Sequence, residues 1–267
     1  MREKHKVELS VIVPAYRQAR TIEASIRKLK ETLDMTRYTY EIVVVVDGIG
    51  DKTYQHAKRA MSSKVRVVGY ANNKGKGYAL RYGMARSAGD IIAFIDSGTD
   101  LDPRGLQMLL AHFDWYNADI IVGSKWHPVS IVTYPWWRII LSKGYGLLVR
   151  MLFRVRVSDT QLGMKCFRRR VLKDVLPRLL VKKFACDIEM LAVAKRLGYG
   201  RIYEAPVVLN WDRENSSISR NIYPAIWDTF VDTLAVFYRL YIVKYYDNAS
   251  KRRWQYDPDL DFRVNIG

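Results

Sequence analysis

Cysteine is scarce in this sequence: its 267 residues include only Cys166 and Cys186, together with four histidines. Two thiols cannot build a disulfide framework or a four-thiolate zinc site, and the histidines and cysteines lack the spacing of zinc ligands. The chain is therefore expected to work in a reducing compartment and without a zinc centre.

Long hydrophobic runs are also absent. A membrane-spanning helix needs about 20 apolar residues that are nearly free of charge. The two most apolar stretches, 136–153 and 225–246, are each interrupted by at least three charged residues. The opening segment 1–6 is mostly polar, and the apolar run after it is short, unlike a secretory signal. We expect neither a spanning helix nor a signal peptide.

Two phosphate-binding motifs are missing as well. No Gly-x-Gly-x-x-Gly follows the first predicted strand, which argues against a dinucleotide-dependent oxidoreductase. No Gly-x-x-x-x-Gly-Lys-Ser/Thr occurs, which argues against a P-loop NTPase. The glycine-rich segment 74–77 is weak evidence for phosphate binding on its own, and no convincing Ser-His-Asp set is present.

Positive charge is abundant and unevenly placed. The chain has 44 Lys+Arg against 27 Asp+Glu, a net charge of +17, and 49% of its residues are hydrophobic. Residues 136–183 contain thirteen Lys/Arg and only two acids. This block favours an anionic partner, which could be nucleic acid, an anionic bilayer or a phosphorylated substrate; the alternative is a solvated basic face.

Part of the basic block is also rich in bulky apolar residues. Trp136 and Trp137 open the segment 134–156, in which Lys143, Leu147 and Arg150 share one helical stripe with Arg154. Cations interleaved with large apolar side chains are typical of helices that lie on a membrane surface. We therefore predict an interfacial amphipathic segment at 134–156.

Hydrophobic patterning predicts an α/β fold in one domain, without internal repeats or linkers. Predicted strands fall at 8–14, 41–47, 65–70, 90–96 and 118–123, and predicted helices at 21–33, 77–87 and 104–116. Their alternation indicates a doubly wound, mostly parallel sheet that binds ligands at the carboxyl ends of its strands.

The remainder of the chain continues with helix 184–197, strand 201–208 and a final helix that has Pro224 in its first turn. The apolar stripe of that final helix is expected to pack in the core or against a subunit; its members are Trp227, Phe230, Val231, Leu234, Phe237, Tyr238, Tyr241 and Tyr245. The polar tail 247–267 is expected to wrap loosely.

Three acids, Asp96, Asp100 and Asp102, follow the predicted strand 90–96. Asp102 precedes Pro103, an ordinary start of a helix, and is interpreted as a turn and cap residue. Asp96 and Asp100 would repel each other unless a cation joins them. Oxygen ligands favour Mg²⁺ or Mn²⁺ completed by substrate phosphates, so we predict a divalent ion that bridges a diphosphate.

Six motifs occur in order along the chain. They are 11–22 (VIVPAYRQARTI), 46–53 (VDGIGDKT), 73–80 (NKGKGYAL), 94–100 (FIDSGTD), 158–168 (SDTQLGMKCFR) and 184–189 (FACDIE). The first four together resemble the family 2 inverting glycosyltransferases with the GT-A fold. The last two are similar to the polyprenyl-phosphate branch, the dolichyl-phosphate mannose and glucose synthases. The resemblance covers about residues 8–220.

The resemblance implies a Rossmann-like GT-A domain at 1–220, a mostly parallel sheet flanked by helices. The pattern of the remaining residues, 221–267, predicts a C-terminal amphipathic helix and tail. It implies that Asp47 binds the base of a nucleotide-sugar donor. The other donor-site residues are Pro14, Tyr16, Gln18, Lys76, Asp96 and Ser97, with Gln18 standing where the family usually has Glu.

The resemblance also implies a metal site, an acceptor site and catalytic residues. Asp96 matches the first acid of the family's Asp-x-Asp, and Gly98 stands in place of the second. Asp100 falls where the branch has a Gln ligand, so Asp96, Asp100 and Gln161 are the expected ligands of Mg²⁺ or Mn²⁺. The acceptor phosphate is expected at Lys125, Arg138, Ser142, Lys143, Gln161 and Arg213; Asp96, Arg138 and Arg213 are the expected catalytic residues.

The function implied is transfer of a hexose, with mannose favoured over glucose, from a nucleotide diphosphate sugar to a polyprenyl or dolichyl phosphate. It would take place at the cytoplasmic face of an anionic membrane, with the protein bound peripherally and without nucleic acid as a partner. Three alternatives remain open: a soluble glycan acceptor with Asp187 or Glu189 as the base, an inactive nucleotide-sugar sensor, and a non-catalytic nucleic-acid binder.

Overall fold

A seven-stranded sheet forms the centre of the protein, whose computed structural model describes residues 6–98, 100–133, 135–210, 222–247, 254–260 and 262–265. Its strands, in spatial order, are β3 (Val65–Tyr70), β2 (Tyr40–Asp47), β1 (Leu9–Ala15), β4 (Ile91–Ile95), β7 (Met164–Arg168), β5 (Ile120–Ser124) and β8 (Ile202–Pro206). All neighbours are parallel except β7, which is antiparallel to both β4 and β5. The predicted mostly parallel sheet is confirmed.

Helices cover both faces of this sheet. They are α1 (Ile22–Asp34), α2 (Thr53–Lys58), α3 (Lys76–Ala85), α4 (Gly105–Trp115), α5 (Trp136–Phe153), α6 (Arg169–Val175), α7 (Cys186–Arg196) and α8 (Ile222–Phe237). Alternate residues of β2 divide between two hydrophobic clusters: Val43 and Val45 join α3 and α5–α8, whereas Val44 and Val46 join α1, α2 and α4. Burial on both faces explains why the strands read as continuous apolar runs.

Strand β7 is absent from the elements expected from hydrophobic runs. Its Cys166 packs in one core cluster and Phe167 in the other, but Lys165 interrupts the apolar pattern and hides the strand. The segment expected as one strand at 201–208 is divided: β8 ends at Pro206, and β9 (Val208–Asn210) pairs with β6 (Ile131–Thr133). Proline has no N–H to donate, so the ladder ends there.

Helix α5 occupies most of the predicted interfacial segment. Lys143, Leu147, Arg150 and Arg154 are all exposed, as their helical spacing predicts. Trp136 and Met151 are exposed as well. Among the described residues, no helix combines the length and apolarity needed to cross a bilayer.

Helix α8 buries only part of the apolar stripe that was expected to pack in the core or against a subunit. Five of the eight stripe residues are exposed, so core packing is wrong for them: Trp227, Val231, Leu234, Tyr238 and Tyr241. Val236 of α8 and Leu240 of the π-helical turn that follows it (Tyr238–Ile242) are buried instead. The apolar stripe predicted from the sequence therefore lies partly on the buried face of the helix and partly on its exposed face. The domain boundary predicted at residue 220 lies outside the described residues.

The C-terminal tail forms a β-hairpin, so the expectation of a loose wrap is wrong for its described part. Strand β10 (Trp254–Asp257) pairs antiparallel with β11 (Phe262–Asn265). Asp257 Oδ1 accepts the backbone N–H groups of Asp259 and Leu260 at 2.9 and 3.1 Å, which builds the turn. Leu260 is buried and Phe262 packs against the core, so the hairpin is docked.

Candidate active site

The carboxyl ends of β1, β2 and β4 meet at one edge of the sheet and carry most of the predicted donor-site residues. Pro14 lies in β1, and Tyr16 follows it with an exposed side chain. Asp47 is the last residue of β2, and Asp96 and Ser97 directly follow β4. Open parallel sheets bind ligands outside these strand ends, which makes this edge the candidate active site.

Gln18 lies at the same edge but is engaged within its own loop. Its Oε1 accepts a hydrogen bond from Thr21 Oγ1 at 2.7 Å, and its backbone N–H donates to Thr53 Oγ1 at 2.9 Å. These bonds join the start of α1 to the start of α2. The expected contact of Gln18 with the donor stays a prediction.

Asp47 organises the loop that follows β3. Its Oδ1 accepts the backbone N–H of Lys74 at 2.7 Å, and its Oδ2 accepts the Gly75 N–H and Asn73 Nδ2, both at 2.9 Å. A Cβ at Gly48, whose φ is +90°, would lie 2.9 Å from the backbone nitrogen of Asn73, so this close approach requires glycine. Asp47 thereby fixes the path of the chain into α3.

Lys76, the first residue of α3, lies between two carboxylates. Its Nζ is 2.9 Å from Asp96 Oδ1 and 3.3 Å from Asp187 Oδ2. Burial lowers the pKa of Lys76, but the negative charges of Asp187 and Asp96 outweigh burial and raise this pKa above its ordinary value. Lys76 is therefore a permanent positive charge beneath Asp96, whose side chain is 41% exposed.

A second lysine approaches Asp187 from β7. Lys165 Nζ donates to Asp187 Oδ1 at 2.6 Å and to the Leu162 carbonyl at 2.7 Å, and both charged side chains are fully buried. The start of β7 also frames Asp96: the Asp96 N–H donates to the Gly163 carbonyl at 2.8 Å. A Cβ at Gly163 would lie only 1.9 Å from Asp96 Oδ2, so glycine is required beside the acid.

The predicted metal ligands are only partly assembled by the described residues. Asp96 offers a half-exposed carboxylate, and Gln161 has a buried amide nitrogen, Nε2, without a hydrogen-bond partner. The two ends of an amide are assigned by convention, so this buried group can equally present its oxygen to a cation. The backbone carbonyl of Asp100 accepts the Asn210 N–H at 2.8 Å. No group of three acidic, histidine or cysteine ligands occurs in the described part.

These oxygen donors fit a metal that keeps water and substrate phosphates among its ligands, which is the usual environment of Mg²⁺. They do not form a cage of protein ligands. Asp102 lies in a turn before α4, as predicted, because its Oδ1 accepts the Arg104 N–H at 3.0 Å. The N-cap of α4 is Arg104, so Asp102 is not the cap residue. The hydrogen bonds from Arg104 lower the pKa of Asp102 to about 2.

The residues expected to bind the acceptor phosphate differ in exposure and in whether a carboxylate already pairs with them. Lys125 Nζ pairs with Asp159 at 2.8 Å and its side chain is 7% exposed, so its charge is already neutralised. Lys143 is exposed on α5, with its Nζ 5.3 Å from the Trp126 ring centroid, and Ser142 is half-buried beside it. The side chain of Arg138 and all of Arg213 lie outside the described residues, so their roles stay predictions.

A known protein family matches the part of the chain that carries these strand ends. The family model described as glycosyl transferase family 2 matches residues 10–176, which include every strand end described above. The chain belongs to this family.

Two curated relatives are similar in sequence to this family 2 glycosyltransferase. Glycosyltransferase AglD of Haloferax volcanii is 32% identical over 210 residues, covering 77% of this chain and 33% of that protein. The chain thus spans about a third of the length of AglD. The dolichyl-phosphate beta-glucosyltransferase of Drosophila melanogaster is 31% identical over 234 residues, covering 81% of this chain and 71% of that protein.

Solved structures show the same GT-A fold. Glucosyl-3-phosphoglycerate synthase from Mycobacterium tuberculosis, in complex with Mn²⁺, UDP-glucose and phosphoglyceric acid, superposes with a TM-score of 0.66 and 19% identity. The match covers 97% of this chain and 86% of that one. The fold predicted from the motifs is confirmed.

Glu189, one of the two acids considered as a base, has a structural position in this family 2 glycosyltransferase. It is fully buried, and its oxygens accept the N–H groups of Leu180 and Val181 and the hydroxyl of Tyr246. Burial raises the pKa of Glu189 above its ordinary value. Its carboxylate thereby fixes the segment before α7 that contains Leu180 and Val181. In the same segment, the Lys182 carbonyl accepts the Gly77 N–H at 2.7 Å.

Sequence reasoning missed two charged residues that support the site, Lys165 and Asp159. Asp159 Oδ1 accepts the backbone N–H groups of Gln161 and Leu162, both at 3.2 Å, and its other oxygen binds Lys125. Lys165 is a charged residue between Met164 and Cys166, in a five-residue strand whose first four residues are buried. A lysine in such a position is almost never buried without a partner, and that is the signal that could have identified it.

Proposed function

We propose that this family 2 glycosyltransferase transfers glucose from UDP-glucose to a polyprenyl or dolichyl phosphate at a membrane surface, with inversion at the anomeric carbon. The curated relatives support glucose: the Drosophila protein is named a dolichyl-phosphate beta-glucosyltransferase. The preference for mannose drawn from the motifs has no support among these relatives. UDP-glucose in the solved structure of the same fold makes UDP the first nucleotide to test.

One observation carries the choice of a phosphate acceptor: neither candidate base is accessible. Asp187 is buried and binds Lys165 at 2.6 Å and Lys76 at 3.3 Å. Glu189 is fully buried among N–H and O–H donors. A sugar hydroxyl needs a base within hydrogen-bond reach of the proton that it loses. The geometry therefore favours an acceptor that is already anionic.

A lipid phosphate supplies that nucleophile itself, because its second pKa is about 6. Its oxygen attacks the anomeric carbon and forms the new C–O bond. The bond to the donor diphosphate breaks on the opposite face, and its electron pair leaves with the nucleotide diphosphate. The chain has two tasks, to bring two anions together and to stabilise the charge that develops on the leaving group.

The residues at the sheet edge suit the second task. Lys76 keeps its positive charge beside Asp96 at the predicted diphosphate position. Asp96, Asp100 and Gln161 are the residues that would hold Mg²⁺ or Mn²⁺. The ion would supply further positive charge to the leaving diphosphate.

Helices α5 and α8 suit the approach of a lipid. Tyr145 of α5 and Thr233 of α8 share a hydrogen bond of 2.7 Å between their hydroxyls, so the two helices are in contact. Both expose large apolar side chains, such as Trp136 on α5 and Trp227 on α8. Arg150 and Arg154 lie among the exposed residues of α5 and its end. This combination is typical of helices in a membrane interface.

The test of the reaction is transfer of radiolabelled sugar to dolichyl phosphate with Mn²⁺, using UDP-glucose and GDP-mannose in separate assays. We expect organic-soluble label from UDP-glucose and its loss in Asp100→Ala. The rate with respect to acceptor should rise with pH through about 6, as the phosphate loses its second proton, and then stay level. Label from GDP-mannose alone would contradict the sugar assignment. Label only on a soluble glycan would contradict the acceptor.

The membrane prediction has its own measurement. We expect the protein to sediment with liposomes that contain anionic lipid at low salt, and the double variant R150Q/R154Q to bind about 30-fold more weakly, since each cation contributes about 1 kcal/mol at such a surface. Arg27→Gln and Arg37→Gln together form a matched control, because both arginines are exposed and lie on the other side of the sheet near α1. Equal binding of both double variants would contradict the assignment of α5.

A further inference from the structure

We propose that the C-terminal hairpin, β10 and β11 with their connecting turn, is a positioning element of the donor site, in which Asp259 acts through Lys74 and Tyr78. The proposal rests on the proposed function in one respect: the donor nucleotide is taken to bind at the carboxyl edge of β1, β2 and β4.

The contact is a three-membered polar network. Asp259 Oδ2 accepts hydrogen bonds from Lys74 Nζ at 3.1 Å and from Tyr78 Oη at 3.2 Å. Lys74 Nζ also donates to Tyr78 Oη at 3.1 Å, and it lies 4.4 Å from the centroid of the Tyr78 ring. The hydrogen bond from Lys74 lowers the pKa of Asp259, so Asp259 is ionised at neutral pH.

Lys74 and Tyr78 flank the junction between the loop and α3. The backbone N–H of Lys74 is bound to Asp47 Oδ1, and the side chain of Lys76, two residues later, is bound to Asp96. The four residues 73–76 thus connect the two acids expected to contact the donor. Because one oxygen of Asp259 accepts from both Lys74 and Tyr78, the hairpin ties the end of the loop to the first turn of α3 and so restrains this connection.

The hairpin can exert this restraint because other residues of the hairpin pack against the rest of the protein. Leu260, next to Asp259, is buried, and the Phe262 ring lies 6.0 Å from the guanidinium carbon of the buried Arg81 on α3. The Trp254 ring lies 5.4 Å from the guanidinium carbon of Arg178. Asp259 itself is 61% exposed, so its charge can be removed without opening the core.

The experiment compares Asp259→Asn with the unchanged protein in UDP titrations with Mn²⁺ and in transfer assays. We expect UDP affinity to fall and the KM for UDP-glucose to rise, each by about fivefold, which is the scale of an exposed ion pair. The kcat and the melting temperature should stay unchanged, because Asp259 contacts neither the reacting atoms nor the core. The variant K74M and the double variant K74M/D259N should show the same loss as D259N, because all three break one network.

Asp90→Asn is the matched control, because Asp90 is 59% exposed, pairs with Lys6 at 2.7 Å and lies at the opposite end of β4. Unchanged UDP affinity in D259N, additive losses in the double variant, or a loss in kcat alone would each overturn the proposal. Tighter UDP binding would also overturn it, by showing that Asp259 competes with the donor for Lys74. If the unchanged protein binds neither UDP nor GDP, the proposed function fails. If it binds one and D259N binds equally well, only the hairpin proposal fails.

Discussion

Asp96→Asn is expected to lower kcat for sugar transfer by about 10³-fold while the protein stays folded. The carboxylate is half-exposed at the end of β4 and 2.9 Å from Lys76 Nζ, so it is the acid that holds positive charge at the proposed diphosphate position. Asparagine keeps the shape but loses the charge. Loss of several kcal/mol of transition-state stabilisation corresponds to this factor, since each 1.36 kcal/mol changes the rate tenfold.

The measurement is single-turnover transfer from UDP-glucose at saturating donor, with a melting curve for each protein. Asp90→Asn serves as the control, because Asp90 precedes the strand that Asp96 follows and its pairing with Lys6 is exposed. Its rate should equal that of the unchanged protein. An Asp96→Asn protein that retains more than about a tenth of the rate would contradict the role assigned to Asp96.

Lys165→Met is expected to lower the free energy of unfolding by about 3 kcal/mol or more, because removing one partner of a buried ion pair leaves the other charge uncompensated. Lys165 and Asp187 are both fully buried at an N···O distance of 2.6 Å. Methionine fills a similar volume, so the loss reports the charge and not a cavity. Lys76 remains 3.3 Å from Asp187 and limits the penalty.

Denaturant titration checks this value, with Lys183→Met as the control. Lys183 also pairs with an aspartate at 2.6 Å, Asp228, but both side chains are more than half exposed. Its loss should cost less than about 1 kcal/mol. The double variant K165M/D187N should recover part of the stability lost in K165M, because it removes the stranded charge. Equal losses in K165M and K183M would show that the buried pair has no special weight.

Strands β1 to β5 and helices α1, α3 and α4 could be predicted because local pattern determines them. The runs 8–14 and 41–47 became β1 and β2, and the acids expected at strand ends lie there: Asp47 ends β2 and Asp96 follows β4. Parallel strands buried on both faces leave a strong apolar signal in sequence. Their topology then brings the polar residues at their ends to one edge.

The charge pairs within the site could not be predicted, because they join residues far apart in the chain. Lys165 meets Asp187 across 22 positions, and Lys76 meets Asp187 across 111. No periodicity reports such contacts. Lys125 is an example: the family resemblance placed it at the acceptor phosphate, and the structure pairs its ammonium with Asp159, 34 positions away.

The environments of the α8 stripe and of the tail were predicted wrongly for a related reason. An apolar stripe such as Trp227, Val231 and Leu234 has the same spacing whether it meets a core, a subunit or a lipid, so its environment is decided by tertiary packing. The tail is polar overall, yet Leu260 and Phe262 suffice to dock it. The average polarity of such a short segment therefore does not reveal that two apolar residues anchor it.

The position of the antiparallel strand β7 also determines when the sheet can be completed during synthesis of the chain. β4 and β5 are consecutive among the parallel strands, but in the sheet β7 lies between them, and β8 covers the far side of β5. On the ribosome, the sheet β3-β2-β1-β4 can assemble once residue 95 has emerged, with the edge of β4 still open. That edge stays unpaired until residues 164–168 arrive, and exposed strand edges of nascent chains are where aggregation begins. The same late segment supplies Lys165, and Gly163 directly precedes the segment, so the open edge closes only when the acid site receives its support.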